Sequence, residues 1–119
     1  MMETIFIDGS ARPNPGKLSG AIVTPEKEYI FDFKRLGTNN EAEYLTLIYY
    51  LEKFGKDNTR IYSDSQMLVK QLNGLWKVNS SLSYYRWFSM SKHLLSSFSN
   101  VILIWIPREQ NLAGYILEK

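Results

Sequence analysis

Apolar positions alternate with small or polar ones through Ile5-Phe6-Ile7-Asp8-Gly9-Ser10, and the run stops in turn chemistry at Asn14-Pro15-Gly16. Alternation puts Ile5 and Ile7 on one face of a first strand and Phe6 and Asp8 on the other, with Asp8 expected at the strand's end over the sheet rim. Residues 18–24 and 28–36 read as second and third strands, with Pro25-Glu26-Lys27 as a tight turn between them. Three short consecutive strands predict an antiparallel meander. The period then changes. Thr38 stands three residues before Glu41, the spacing of a capping box, and Ala42, Leu45, Ile48, Tyr49 and Glu52 trace one mostly apolar helical face up to Gly55.

Residues 59–64 form a fourth predicted strand, and a strand–helix–strand crossover lays it parallel to the first. From Ser65 the pattern is helical through Leu72 and breaks at Asn73-Gly74, after which Ser80 or Ser81 is expected to cap a longer helix running to about Ser97. Residues 100–107 make a strongly apolar fifth strand, and a short last helix is expected from Arg108 to Lys119. The order is βββαβααβα, an α/β chain.

A chain of 119 residues, 45% hydrophobic, has enough apolar surface for one core, so a single domain spanning 1–119 is expected. The absence of Cys excludes a disulfide framework and a thiolate zinc site. With no signal-like leader and no apolar run near the ~20 residues that span a bilayer, the expectation is a soluble cytoplasmic protein, independent of membranes. Nothing in the composition implies a protein partner, and a monomer is expected. The net charge of +2 is small but uneven: no acid occurs between Asp64 and Glu109, where Lys70, Lys77, Arg86, Lys92 and Arg108 fall. That half is suited to a polyanion.

On this frame Asp8 ends the first strand, Asp64 ends the fourth, and Glu43 lies in the first turn of the helix joining the third strand to the fourth. All three converge at one rim. Taken singly, each has an ordinary explanation: a turn-initiating Asp before Gly9, a Glu favoured by the helix dipole, a helix-capping Asp between two serines. Taken together they require a counter-cation, because a unit-charge pair about 4 Å apart at an effective dielectric near 20 costs roughly 4 kcal/mol. An all-oxygen ligand set with no Cys and a single His favours Mg²⁺ or Mn²⁺ over zinc.

Four segments in order then resemble ribonuclease H type 1: Phe6-Ile7-Asp8-Gly9-Ser10 with Asn14-Pro15-Gly16, Thr38-Asn39-Asn40-Glu41-Ala42-Glu43-Tyr44, Ser63-Asp64-Ser65-Gln66, and Trp105-Ile106-Pro107-Arg108-Glu109-Gln110-Asn111. The likeness runs nearly the whole chain. It implies a five-stranded mixed sheet with flanking helices, and endonucleolytic cleavage of the RNA strand of RNA/DNA hybrids with two Mg²⁺ ions. The family's first three catalytic carboxylates fall on Asp8, Glu43 and Asp64. The resemblance also implies that Asn14, Asn39, Asn40 and Gln66 contact the hybrid, a task that suits amides, which both donate to and accept from a 2′-hydroxyl.

Two departures stand out. The family's fourth acid is missing, since a gapless match puts Tyr115 in its place, and a phenol is uncharged at pH 7. Asn111, one helical turn earlier, either substitutes through its amide oxygen, as catalytic group and metal ligand, or caps the last helix. The family's mobile His is also absent from the loop, where Arg108 stands instead, free to hold a phosphate or to pair with Glu109 or an exposed acid. A basic protrusion is missing or shortened, which leaves Trp76, Lys77 and Arg86 as further substrate candidates and predicts salt-sensitive binding. The only His, His93, is expected to be structural or solvent-facing mid-helix. Two functions follow: a hybrid-specific ribonuclease, or a catalytically weakened or silent module that grips hybrids.

Overall fold

The computed structural model describes residues 2–118. Strands β1 (Glu3–Arg12), β2 (Gly16–Val23) and β3 (Glu28–Gly37) form the antiparallel meander, followed by helix α1 (Asn39–Phe54) and strand β4 (Thr59–Ser63). Helices α2 (Gln66–Leu72) and α3 (Tyr85–Leu95), strand β5 (Val101–Trp105), a 3-10 turn at Arg108–Gln110 and helix α4 (Leu112–Leu117) complete the chain. The sheet runs β3-β2-β1-β4-β5, with β4 parallel to β1 and β5 parallel to β4. The predicted element order and mixed sheet are therefore those observed.

Asp8 is not at a strand end, as alternation and the following turn suggested. β1 continues to Arg12, which pairs with Lys17 of β2. What stops near Asp8 is the other neighbour: β4 pairs with β1 only from Glu3 to Phe6. Beyond Phe6 that flank of β1 has no strand partner, and the opening is where Asp8 stands.

The side chains of Ile5, Ile7, Ile22, Ile61 and Leu103 face α1 and build the main core with Leu47, Leu51 and Leu68. Phe6, Ala21 and Val23 face the opposite side, where Ala113, Ile116 and Leu117 of α4 cover them. The capping box of α1 is formed in full: Thr38 Oγ1 accepts from Glu41 N, and Glu41 Oε1 accepts from Thr38 N. Its apolar stripe is wider than expected. Ala42 through Ile48 are all buried, because α1 lies between the sheet and α3, while Glu52 is exposed.

Helix α3 begins later than expected and without a side-chain cap. Asn79 Oδ1 accepts from both the backbone N–H and the hydroxyl of Ser81, which holds Ser80 and Ser81 in turns. Tyr84, stacked on buried Tyr44 with ring centres 5.4 Å apart, fixes the start instead. Tyr44 donates to Gln71 Oε1 and Gln71 Nε2 donates to Tyr84, so the buried hydroxyls and amide satisfy one another. The chain's end also divides differently: Arg108–Gln110 is a 3-10 turn, and α4 starts only after Asn111, its N-cap. Lys119 lies outside the described residues.

The two sheet edges differ. On β3, Lys34 adopts a left-handed backbone with φ of 56°, Asp32 Oδ1 accepts from its N–H, and the pairing with β2 slips between Lys17 and Ser19. On β5, Asn73 Nδ2 donates to the Leu103 carbonyl.

Candidate metal centre

Three elements deliver the acids. β1 presents Asp8 beside α4, the first turn of α1 presents Glu43, and Asp64 follows the last residue of β4, ahead of the Ser65 cap of α2. One carboxylate oxygen from each lies within 4.8 Å of the others. Asp8 is 2% exposed and Glu43 8%. The approach of α1 depends on Gly9, whose N–H donates to Glu43 Oε1 at 2.5 Å. A Cβ at Gly9 would meet the Ala42 backbone carbonyl at 2.5 Å, so only glycine allows the helix to come this near. Asp64 is held from behind, with its carbonyl accepting from Trp105 Nε1 at 3.1 Å.

The electrostatics are those of a site short of positive charge. Burial, then the Asp64 carboxylate, push the Asp8 carboxyl up to about 6, against the pull of Arg108. Burial, reinforced by Asp8 and Asp64, holds Glu43 well above the usual carboxylate range. The one cation among them is Arg108. Its Nη1 donates to Asp8 Oδ1 at 3.2 Å and Asp64 Oδ2 at 3.0 Å, and its Nη2 donates to Glu118 Oε1 at 2.7 Å. Of the roles open to Arg108 from sequence, pairing with acids is therefore the one seen in the folded chain, and those acids are Asp8, Asp64 and Glu118, not Glu109.

Asn111 takes the second of the two places expected for it, the cap of the last helix. It is fully buried, its Oδ1 caps α4 by accepting from Ala113 N, and its Nδ2 donates to the Ile7 carbonyl at 2.9 Å and Asp64 Oδ2 at 3.1 Å. The helix cap claims the amide oxygen that the alternative role would have turned toward a second ion. The N–H₂ end, a donor, faces the carboxylates instead, and a flip would set carbonyl against carbonyl at Ile7. Tyr115 is half-exposed and donates to the Glu109 carbonyl at 2.5 Å.

The other sequence candidates lie around this cluster. Asn14 Oδ1 accepts from Asn39 N and Asn39 Oδ1 from Ala11 N, stitching the β1–β2 turn to the start of α1. Asn40 and Gln66 are exposed at the first turns of α1 and α2. Trp76 and Lys77 are exposed between α2 and α3, with Lys70 Nζ 4.9 Å from the Trp76 ring centre. Arg86 stacks 4.3 Å from the Trp87 ring, which Arg35 approaches from 5.1 Å. His93 is exposed on α3. Glu118 and Gly114 escaped the sequence reading, and Trp105 entered it only as part of the fourth family-like segment. The signal for Glu118 was its spacing of seven from Asn111, two turns along one helical face.

Three carboxylates with no sulfur or imidazole form a hard oxygen donor set that fits a divalent cation such as Mg²⁺ or Mn²⁺. No helix among the described residues is long and apolar enough to cross a membrane.

A family model described as reverse transcriptase-like matches residues 6–118. Among curated proteins, the chain is 33% identical to ribonuclease HI of Halobacterium salinarum over 89% of its own length and 57% of the relative's. It is 32% identical to a bifunctional protein of Mycobacterium tuberculosis, over 93% of its own length and 33% of the relative's. The chain thus spans a third to rather more than half of these relatives. The crystal structure of RNase H1 from Halobacterium salinarum superposes with a TM-score of 0.82 at 30% identity, covering 98% of this chain and 94% of that one. LC11-RNase H1 in complex with RNA/DNA hybrid gives 0.79 at 28% identity, covering 97% and 92%.

Proposed function

Because the chain belongs to the ribonuclease H type 1 family, within the wider reverse transcriptase-like group, we propose that it is a metal-dependent endoribonuclease cleaving the RNA strand of RNA/DNA hybrids. The observation that carries this reading is the meeting of Asp8, Glu43 and Asp64, 35 and 21 positions apart in sequence (8 to 43, 43 to 64), within one 4.8 Å cluster. Buried like charges are costly to keep unless a cation binds there. These three carboxylates would hold Mg²⁺ or Mn²⁺, two ions per site. Bound there, divalent ions supply charge neutralisation at the scissile phosphate and a water acidic enough to attack near neutral pH.

The chain's own residues do the rest. Gly9 N–H fixes the Glu43 carboxylate, and Asn111 Nδ2 fixes that of Asp64, so the ligand oxygens converge before substrate arrives. In this reading Asn111 is a positioning residue for Asp64. Asn14, Asn39, Asn40 and Gln66 lie along the β1–β2 turn and two helix starts, from which amide donors reach phosphates and 2′-hydroxyls of the RNA strand. Trp76, Lys77 and Arg86 offer ring and cation surface to the DNA strand.

A second reading, a hybrid-binding module without turnover, is favoured by Arg108 lying between Asp8 and Asp64 and by Tyr115 turning away toward Glu109. A gel assay of labelled hybrid, duplex RNA and duplex DNA with Mg²⁺ or Mn²⁺ decides between them. Cleavage confined to the RNA of the hybrid and lost in Asp64→Asn is expected. Binding without cleavage selects the second reading.

A further inference from the structure

Resting on the metal-site reading above, we propose that Arg108 is a built-in counter-cation for the carboxylate cluster and that Glu118 is the positioning residue to which it withdraws when a divalent ion binds. Nη1 sits where a cation belongs, sharing Asp8 and Asp64 at 3.2 and 3.0 Å. Arginine cannot shed its proton, so the guanidinium and a dication compete for the same oxygens. One of them has to leave.

The surroundings of the guanidinium provide for that departure. Its other nitrogen, Nη2, already makes its shortest bond, 2.7 Å, to Glu118, which lies outside the cluster. Nη1 can leave Asp8 and Asp64 while Nη2 stays tethered. The Arg108 side chain is 51% exposed, so it is not packed in place. Beneath it, Gly114 leaves helix backbone bare. A Cβ there would stand 3.4 Å from Nη1 and 3.5 Å from Cζ, in van der Waals contact with the guanidinium that lies over it. Asn111, Gly114 and Glu118 occupy one side of the helix at spacings of three and four. They hold Asp64, lie under Arg108 and receive Arg108, in that order along the axis.

Glu118 therefore acts on ion binding through Arg108 and not as a ligand, and the two roles separate in a double-mutant cycle. Mn²⁺ binding is measured by titration calorimetry on the wild type, Arg108→Ala, Glu118→Gln and the double variant, with Asp8→Asn marking cluster-dependent binding. Arg108→Ala is expected to bind Mn²⁺ about three- to tenfold more tightly and Glu118→Gln about threefold more weakly. In the Arg108→Ala background, Glu118→Gln is expected to change affinity by less than about twofold. Arg108→Gln, which keeps the stem over Gly114, serves if the alanine variant does not fold. Equal weakening by Glu118→Gln in both backgrounds would mean direct ligation and overturns the inference, as does unchanged affinity when Arg108 is removed. Absence of any binding sensitive to Asp8→Asn overturns the metal-site reading as well, so the two failures are distinguishable.

Discussion

Replacing Asp8 by Asn is expected to stabilise the protein when no divalent ion is bound. Asp8 is 2% exposed, with Asp64 and Glu43 in the same cluster, and its carboxyl is pushed from the ordinary 3.8 up to about 6. The folded state thus holds the proton more tightly than the unfolded state. Between about pH 4 and 6 the folded chain carries more protons, and stability falls as pH rises through that window. The two values are about two pH units apart, each worth roughly 1.4 kcal/mol, so at pH 7 the ionised carboxylate costs the fold about 3 kcal/mol. Asn removes that cost, and because the value of about 6 already contains the opposing pull of Arg108, the net gain expected is about 2–3 kcal/mol. Urea unfolding with chelator at pH 7.5, 5 and 4 measures it. The gap between Asp8→Asn and wild type narrows on acidification, and saturating Mn²⁺ inverts the order because only the wild type gains binding energy. An Asp8→Asn protein no more stable than wild type at pH 7.5 in chelator, or a gap undiminished at pH 4, would refute the reasoning.

Gly9→Ala drives a methyl into the Ala42 carbonyl and Glu43 N–H, so a loss of about 2–4 kcal/mol by denaturant unfolding is expected, with cleavage falling further than stability alone explains. Asn111→Ala removes a cap and two buried donor contacts and is expected to cost about 2–3 kcal/mol and most of the activity, whereas Tyr115→Phe leaves initial cleavage rates within about twofold. Thr38→Ala opens the capping box and is expected to lower stability by about 1 kcal/mol without changing the metal dependence of cleavage. Hybrid affinity, followed by fluorescence anisotropy, is expected to fall steeply with salt, and Lys77→Ala to lower the slope by about one.

Much of the architecture was legible because its signals are local. The alternation through Ile5 and Ile7, the Thr38–Glu41 spacing and the helical pattern from Ser65 to Leu72 each depend on neighbours a few residues away. Asp8 and Asp64 were legible for another reason, as charges closing apolar runs where packing has no use for them, and Glu43 because the strand–helix–strand crossover sets the start of its helix beside them. What escaped depends on contacts distant in sequence. The delayed start of α3 follows from Tyr84 stacking on Tyr44, forty residues earlier. The orientation of Asn111 follows from a carbonyl on β1, and no spacing rule tells whether an amide will offer its oxygen or its nitrogen. Arg108 belonged to the same class. Neither Glu109 nor an exposed acid alone describes its partners, which include buried Asp8, because the 3-10 turn sets its side chain across from β1.

The lateral borders of the sheet carry unequal guards. The outer strand of the meander has its register slip, its left-handed Lys34 and its charged side chains to discourage another chain from adding on. The opposite border, Val101-Ile102-Leu103-Ile104-Trp105, has no charge and rests on one asparagine, just past the end of α2, reaching the Leu103 carbonyl. Self-association of this protein at high concentration would therefore begin on that side, by strand addition, and the amide of Asn73 is the gatekeeper.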